Sequence, residues 1–511
     1  MTTLDQLATR GAARSPDRPA IIVPGGAPGG APGGDTLRYA ELDAAVSRFA
    51  GTLIARGAAS GDRLVLGNGN TPGFFVALLG AARAGLVAVP LDPGLAPAEL
   101  NRVVRHAAPH AVVVDARTAP VFAPLGAPLI TVPEASGAGA GTASSARASG
   151  GAAPALILYT SGTTGTPRGA VHSHAGILHK LEAIRAWFAL GETDRTLCLL
   201  PTHFGHGLVA SCLSALNYGG TLVLCPPFDV ALLPRVFALA DEHDVTTFSS
   251  VPTVVRLLLR NQAIAPPARG RLRFVTCASA PLHPEDTAAF EARFGVPLLN
   301  CYGLTEAGTW SAMSSVDPAR DRRAVGVASD CQVRAIRSDG DRATPLPPGE
   351  IGELQVSGPS IMLGYDRDPD ATTKVLRDGW LSTGDLGSVD ERGQVFLAGR
   401  SKDLIIRAGA NIFPPEVEGV LLHHPDVAEA YVIGLDHAIL GEHVAACVVR
   451  RPGATVSDRE LIRHCRDALA AYKCPDTIVF VDAVPKTSRG KVSRAALHAL
   501  LAPAPHAARS P

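Results

Sequence analysis

Lysine is scarce in this chain. Of 47 basic residues only six are Lys, at 180, 374, 402, 473, 486 and 491, and four of these fall after residue 400. Against an abundance of Gly, Pro and Ala, of the kind a GC-rich coding bias produces, each retained lysine is a notable choice. A surplus of charge is missing too. The 47 basic residues meet 47 acidic ones, for a net charge of +0, which points to neither nucleic acid nor an anionic membrane as a partner. No run reaches the roughly 18 uncharged apolar residues of a spanning helix, because Arg, Asp or Pro cuts the longest candidates. The opening MTTLDQLATRGAARSPDRPAII lacks a basic region followed by an apolar core, so no secretory signal is expected and the cytoplasm is the expected location. The nine Cys are odd in number and contain no C-x-x-C pair. They read as scattered buried thiols in a reducing compartment, not as a disulfide framework or a zinc site. There is no G-x-S-x-G, which removes the nucleophile elbow of a serine hydrolase.

What is present is globular. The 511 residues are 46% hydrophobic and 18% charged, enough for two to four domains, or one large and one small. Leu42, Val46, Phe49 and Leu53 step by four, three and four, one face of a helix. Short unalternating apolar runs recur with helical stretches between them: RLVLG, LVAVPL, AVVVDA, ALILYTSG, RTLCLLP, GTLVLCPP, TTFSSVP, RLRFVTCASAP and VPLLNCYG. That pattern predicts an α/β N-terminal domain over 1–399, with mainly parallel sheets flanked by helices. The order then changes. DLIIRAG, AEAYVIGL, EHVAACVVR and TIVFVDAVP read as strands, and PEVEGVLLHH and DRELIRHCRDALA as helices. These predict a small α+β domain over 402–503, joined at 400–403. The Gly/Pro-rich 24–34 and the Gly/Ala/Ser-rich stretch from about Glu134 to Ala153 read as loops, and 504–511 as a disordered tail.

The strongest local signal is Tyr159-Thr-Ser-Gly-Thr-Thr-Gly-Thr-Pro-Arg-Gly169, between an apolar strand and a helical segment. Gly162 and Gly165 let the backbone turn its amides toward an anion. Thr160, Ser161, Thr163, Thr164 and Thr166 add hydroxyl donors, and Arg168 adds a fixed positive charge. Such a loop suits polyphosphate. It is not a Walker loop, because Pro167-Arg168 stands where that pattern needs Gly-Lys.

YTSGTTGTPRGA resembles the phosphate loop of the adenylate-forming superfamily, which takes in acyl-CoA synthetases, luciferases and peptide-synthetase adenylation domains. The family usually has Lys at the position of Arg168, a place where either cation serves. Other family motifs follow in order and cover about residues 15–500. Tyr302-Gly303-Leu304-Thr305-Glu306 resembles the aromatic-Gly-x-Thr-Glu motif. The resemblance implies that Tyr302 stacks on adenine, Thr305 donates to the α-phosphate and Glu306 holds Mg²⁺. CASAPL, with Ala278, Ser279 and Ala280, resembles the small-residue loop beside adenine and the acyl group. WLSTGDL implies Asp385 on the ribose hydroxyls. GRSKD implies Arg400 near ribose or phosphate and Lys402 as the hinge of a mobile C-terminal lid. IIRAGANIFPPEVE places Gly409 beside the thiol path, and Lys473 is a cation that can meet a CoA phosphate there. PKTSRGKVSR places Lys491 between the substrate carboxylate and the α-phosphate, where a compact ammonium meets charge that builds during attack. A lone loop lysine is usually only solvated. The lysine-poor background and the surrounding match set this one apart.

The implied reaction is activation of a carboxylate by ATP to an acyl-adenylate, then transfer to a thiol, with Lys491, Thr163, Thr164, Arg168 and Glu306 as the catalytic set. Its cofactors are ATP, Mg²⁺ and CoA, or the phosphopantetheine of a carrier protein in place of CoA. Aligned on Pro201 and Gly207, Phe204 falls where many relatives have His, with His203 and His206 on either side. Two His without a third ligand make a weak metal site. No Asp occurs between Leu199 and Leu216 to hold an α-amine, which favours an acid without one. Phe204, His206, Ser249, Ala278, Gly303 and Leu304 are expected to line its pocket. An enzyme that loads a carrier protein, one that stops at the adenylate, and a non-catalytic nucleotide-binding protein on the same fold remain open at this point.

Overall fold

The computed structural model describes residues 2–25, 34–132, 150–160, 168–339, 342–437, 439–485 and 492–501. Most of the two loops read from composition, the tail from 504, the residues 161–167 and Lys491 lie outside them. By internal packing the chain divides into two units: 1–333 with 355–383 and 392–395, and 334–354 with 384–391 and 396–511.

The first unit holds two sheets. In one, the spatial order is Gly326–Ala328, Thr309–Met313, Leu298–Leu304, Phe274–Cys277, Thr247–Ser250, Arg195–Cys198, Thr221–Leu224, Pro19–Val23 and Asp35–Arg38. The strands from Leu298–Leu304 to Pro19–Val23 run parallel, and those at either edge are antiparallel. In the other, the order is Gly364–Tyr365, Arg168–Ser173, Pro154–Thr160, Val87–Pro90, Arg63–Leu66, Ala111–Val113 and Leu129–Ile130, with the first three strands paired antiparallel and Pro154–Thr160 onward paired parallel. The unalternating runs are buried on both faces, as parallel strands between helices must be. Leu42, Val46, Phe49 and Leu53 form the buried face of helix Tyr39–Ala55. Helix Pro72–Ala84 starts where the Thr71 hydroxyl accepts from the Phe74 amide and Pro72 occupies the first turn, and it stops at Gly85 with φ +78°.

Between Thr309 and Arg400 the chain adds strands that the apolar-run pattern does not mark. Arg342–Pro345 shows why: all four of its residues are exposed, so it carries no apolar run to read. In the second unit, Ala410–Ile412, Ile405–Arg407, Gly441–Arg450 and Val427–His437 form an antiparallel sheet, with Thr477–Phe480 parallel to Gly441–Arg450. The run DLIIRAG holds the expected strand, as Ile405–Arg407. It turns at Ala408 and Gly409, both at positive φ (48° and 82°), and returns as Ala410–Ile412. Helix Asp458–Ala468 opens with a capping box, in which Ser457 and Glu460 satisfy each other's amides. A further helix, Arg494–Leu501, lies beyond the strand that ended the sequence pattern.

Candidate active site

Strand order brings the motifs of the first unit together. Arg195–Cys198, Thr247–Ser250, Phe274–Cys277 and Leu298–Leu304 are neighbours in one parallel sheet. The segments holding His206, Ser249, Ser279 and Glu306 thus leave the sheet at one edge, the carboxyl ends where open α/β sheets bind ligands.

The expected phosphate loop connects two antiparallel strands, Pro154–Thr160 and Arg168–Ser173. Thr160 faces Arg168 in register, and the Thr160 hydroxyl donates to the Arg168 carbonyl at 3.4 Å. Ser161, Gly162, Thr163, Thr164, Gly165 and Thr166 lie between them, outside the described residues. The Arg168 guanidinium lies 5.6 Å from the centre of the Tyr365 ring, and its Nε is 3.6 Å from Asp368. Tyr365 donates its hydroxyl to Glu306 Oε1 at 2.8 Å. Burial and the Glu306 carboxylate push the Tyr365 pKa up, so the hydroxyl stays protonated and remains a donor. Glu306 sits on the short turn Thr305–Ala307 that ends strand Leu298–Leu304, and its carbonyl accepts from the Met362 amide at 2.8 Å. Arg168, Tyr365 and Glu306 therefore form one continuous line from this hairpin to the carboxylate. Sequence reasoning missed Tyr365 and Asp368. The local signal was an aromatic residue inside the polar run Gly364-Tyr-Asp-Arg-Asp368.

Tyr302 is buried, and Gly303 and Leu304 are half-buried at the end of their strand. Position 303 must be glycine. A β-carbon there would stand 1.7 Å from the Thr309 carbonyl oxygen of the adjoining strand. Ala278 is buried, while Ser279 and Ala280 are exposed. Ser279 takes φ +76°, a left-handed conformation unfavourable for a side chain with a β-carbon. Its hydroxyl lies 3.0 Å from His206 Nδ1.

His206 opens a π-helical stretch, His206–Leu213, a geometry that often marks functional sites. Burial pushes its pKa down to about 3, so the imidazole is neutral. His203 turns elsewhere, with Nε2 3.5 Å from Asp92 and its ring 4.3 Å from that of Phe204. The described residues hold no group of three or more His, Cys, Asp or Glu able to bind a metal. Ser249 is buried, and its hydroxyl lies 2.6 Å from that of Thr276.

In the second unit, Asp385 is buried with one oxygen 3.0 Å from Nε of the exposed Arg400. Lys402 lies on the turn Ser401–Asp403, where burial lowers its pKa. The Arg494 guanidinium, three residues after Lys491, is 3.0 Å from Asp403. Gly409 is exposed in its two-residue turn. The Lys473 ammonium bonds both Glu416 carboxylate oxygens, at 2.6 and 2.9 Å.

A family model for AMP-binding enzymes matches residues 8–366, and one for the C-terminal domain of AMP-binding enzymes matches residues 416–491. The chain belongs to the AMP-binding enzyme family. Within it, the chain is 34% identical to the sulfoacetate–CoA ligase of Cupriavidus necator, over 96% of each protein. It is 33% identical to a feruloyl-CoA synthase of an Amycolatopsis species, over 89% of this chain and 92% of the relative. Among solved structures it resembles ATP-bound MatB from Rhodopseudomonas palustris, with a TM-score of 0.88, 32% identity, and coverage of 98% of this chain and 99% of that one. These AMP-binding relatives share the fold expected from the sequence, a large N-terminal and a small C-terminal part. Among the described residues, no helix is long and apolar enough to cross a membrane.

Proposed function

We propose that this chain is an ATP-dependent acid:CoA ligase. In the first step a carboxylate oxygen bonds to the α-phosphorus of ATP, the bond to the bridging oxygen breaks, and pyrophosphate leaves. In the second the CoA thiol gives up its proton to solvent, its sulfur bonds to the acyl carbon, and AMP departs with the electron pair of the anhydride bond. The line from Arg168 through Tyr365 to Glu306 carries this reading. It sets a fixed cation and an oriented carboxylate beside the hairpin that closes the phosphate loop.

Phosphoryl and nucleotidyl transfer depend on placement and charge neutralisation more than on a protein nucleophile. Arg168 supplies charge toward the β- and γ-phosphates, with the threonine-glycine turn at 160–166 as the phosphate cradle. The Tyr365 hydrogen bond leaves Glu306 Oε2 and spare lone pairs for a hard cation. With no fuller acidic cluster among the described residues, a magnesium ion here would take its remaining ligands from phosphate and water, its usual habit. Bound there, it would neutralise charge on the phosphates. Tyr302 is assigned to adenine, Thr305 and Lys491 to the α-phosphate, and Asp385 and Arg400 to ribose, on the motif match. Lys402 is the proposed hinge, and Gly409 and Lys473 are assigned to the thiol side. The absence of Asp between Leu199 and Leu216 favours an acid without an α-amino group. All nine Cys are unpaired, as suits a reducing cytoplasm.

The test is purified protein with ATP, magnesium and a panel of carboxylic acids, read for pyrophosphate and for thioester. CoA is supplied, withheld, or replaced by a phosphopantetheinylated carrier protein. Acyl-CoA with AMP and pyrophosphate is the expected result. Thioester on the carrier alone, or adenylate with no thioester, would replace CoA as the acceptor. No pyrophosphate with any acid would leave a nucleotide-binding protein without this activity.

A further inference from the structure

Two buried nitrogen atoms beside the expected acid pocket have no hydrogen-bond partner among the described residues. Trp310, on strand Thr309–Met313, is 3% exposed, and His206 is 9% exposed. Their rings meet at 5.4 Å between centroids, inclined by 64°. Neither Trp310 Nε1 nor His206 Nε2 has a hydrogen-bond partner among the described residues. A buried indole N–H is a donor only and normally finds an acceptor, and leaving it unfilled is unfavourable. The other imidazole nitrogen is engaged, 3.0 Å from the Ser279 hydroxyl. Ser279 holds that position in a strained left-handed conformation. Such strain persists where the surroundings enforce it, commonly at ligand sites. In the tautomer where the serine hydroxyl donates to Nδ1, the ring proton sits on Nε2. The imidazole and the indole then each carry an N–H donor without a partner among the described residues.

The surroundings also say what they do not suit. Burial alone accounts for the depressed pKa of His206, with no ionic neighbour contributing among the described residues. A second anionic group lodged here would lose its hydration without gaining a counter-charge.

We propose that Trp310 and His206 form a specificity subsite that takes a neutral oxygen acceptor on the tail of the acid, so that the substrate is an oxygenated monocarboxylic acid carrying a hydroxyl, keto or ether group. This rests on the reading of the chain as an acid:CoA ligase. It assigns Trp310, Ser279 and the tautomer of His206 a part in choosing the acid. It also separates this chain from its sulfoacetate-activating relative, whose substrate name includes a second anionic group.

The experiment uses two series of acids in the pyrophosphate-release assay. One is phenylacetate with its ortho-, meta- and para-hydroxy derivatives and its para-carboxy derivative. The other is hexanoate with its keto and terminal hydroxyl derivatives and adipate. At least one neutral oxygenated acid should exceed its parent in kcat/KM by about tenfold or more, the scale on which an unfilled buried donor discriminates. The dianions should be the poorest members. Trp310→Phe keeps an aromatic ring, though a smaller one, and removes the N–H. It should raise KM for the preferred oxygenated acid by about tenfold, leaving KM for the parent acid and for ATP unchanged. A parent or a dianion as the best substrate, or discrimination that survives Trp310→Phe, overturns the subsite while leaving the ligase reading intact. Pyrophosphate from no acid at all overturns the ligase reading and the subsite with it. Should Trp310→Phe fail to fold, the wild-type ranking of the two series decides alone.

Discussion

Tyr365 gives its hydroxyl hydrogen to Glu306 and its ring face to Arg168, so one side chain orients both charges of the proposed phosphate site. Tyr365→Phe keeps the ring and removes the donor. A hydrogen bond to a charged group contributes roughly 1.5–3 kcal/mol. The variant should therefore lose about tenfold or more in kcat/KM for ATP with magnesium, with little change in Tm. Steady-state kinetics at varied ATP and a thermal melt check this. Lys491→Ala should slow adenylation by roughly 10²–10³, the scale of removing one preorganised donor. It should spare thioester formation from supplied acyl-adenylate. Single-turnover assays of the two half-reactions separate these outcomes, and equal loss in both would contradict the assigned role. Arg168, Glu306, Ser279 and His206 were legible as candidates from sequence because each lies in or beside a run with recognisable chemistry. Tyr365 and Trp310 were not. A tyrosine and a tryptophan look like core or surface until the chain shows what their polar atoms face.

At the scale of elements, the site depends on strands that approach too closely to admit ordinary side chains. Strand Leu298–Leu304 pairs with Thr309–Met313 through a bulge between Tyr302 and Gly303, and only a glycine fits opposite Trp310. Gly303→Ala would force a β-carbon onto the Thr309 carbonyl and push apart the strands carrying Tyr302 and Trp310, with the Glu306 turn between them. We expect a loss of about 3 kcal/mol, the upper end for overpacking, together with loss of adenylation. Denaturant melts and pyrophosphate release measure the two. Helices and parallel strands in this chain were readable because burial on one stripe or on both faces leaves a periodic or continuous apolar signature. The strands between Thr309 and Arg400 escape that reading where one or both faces stay wet. The hairpin turn at Ala408-Gly409 escaped it as well, since an unbroken apolar-to-polar run does not reveal a reversal.

For the whole molecule, buried titratable groups give the two units opposite responses to pH. In the first, burial holds His172 and His206 at pKa values of about 4 and 3, below the ordinary 6.5. The unfolded chain then binds protons that the folded chain refuses. Stability from these groups is complete above pH 6.5 and lost as pH falls from there to about 4 for His172 and about 3 for His206. In the second, burial raises Glu418 to about 7 from 4.5, with Arg494 opposing the rise and Asp403 adding to it. The folded state holds the proton more tightly, so stability is lost as pH rises from about 4.5 to 7, by roughly 3 kcal/mol at the usual conversion. Glu418→Gln can still accept from the Val432 amide, as Glu418 does at 2.9 Å. In the full chain it should raise the melting of the C-terminal unit at pH 8 and leave it nearly unchanged at pH 5. Calorimetry across that range shows the slope, and a variant with the wild-type slope would remove Glu418 as its cause.

The sequence by itself determined the class of fold and the family, and it named the candidate residues for nucleotide chemistry. Those properties reside in local patterns: apolar runs of strand length, glycine and threonine in one loop, and lysine retained where arginine is otherwise the rule. Only the tertiary structure decided which of these residues meet. Arg168 and Glu306 are 138 positions apart, and they share a site because Gly364–Tyr365 pairs with the strand that Arg168 opens while Tyr365 reaches the turn holding Glu306. Likewise His206, Ser279 and Trp310 come from three separate segments. Their convergence follows from strand order, which is set by long-range packing that no local run of residues encodes.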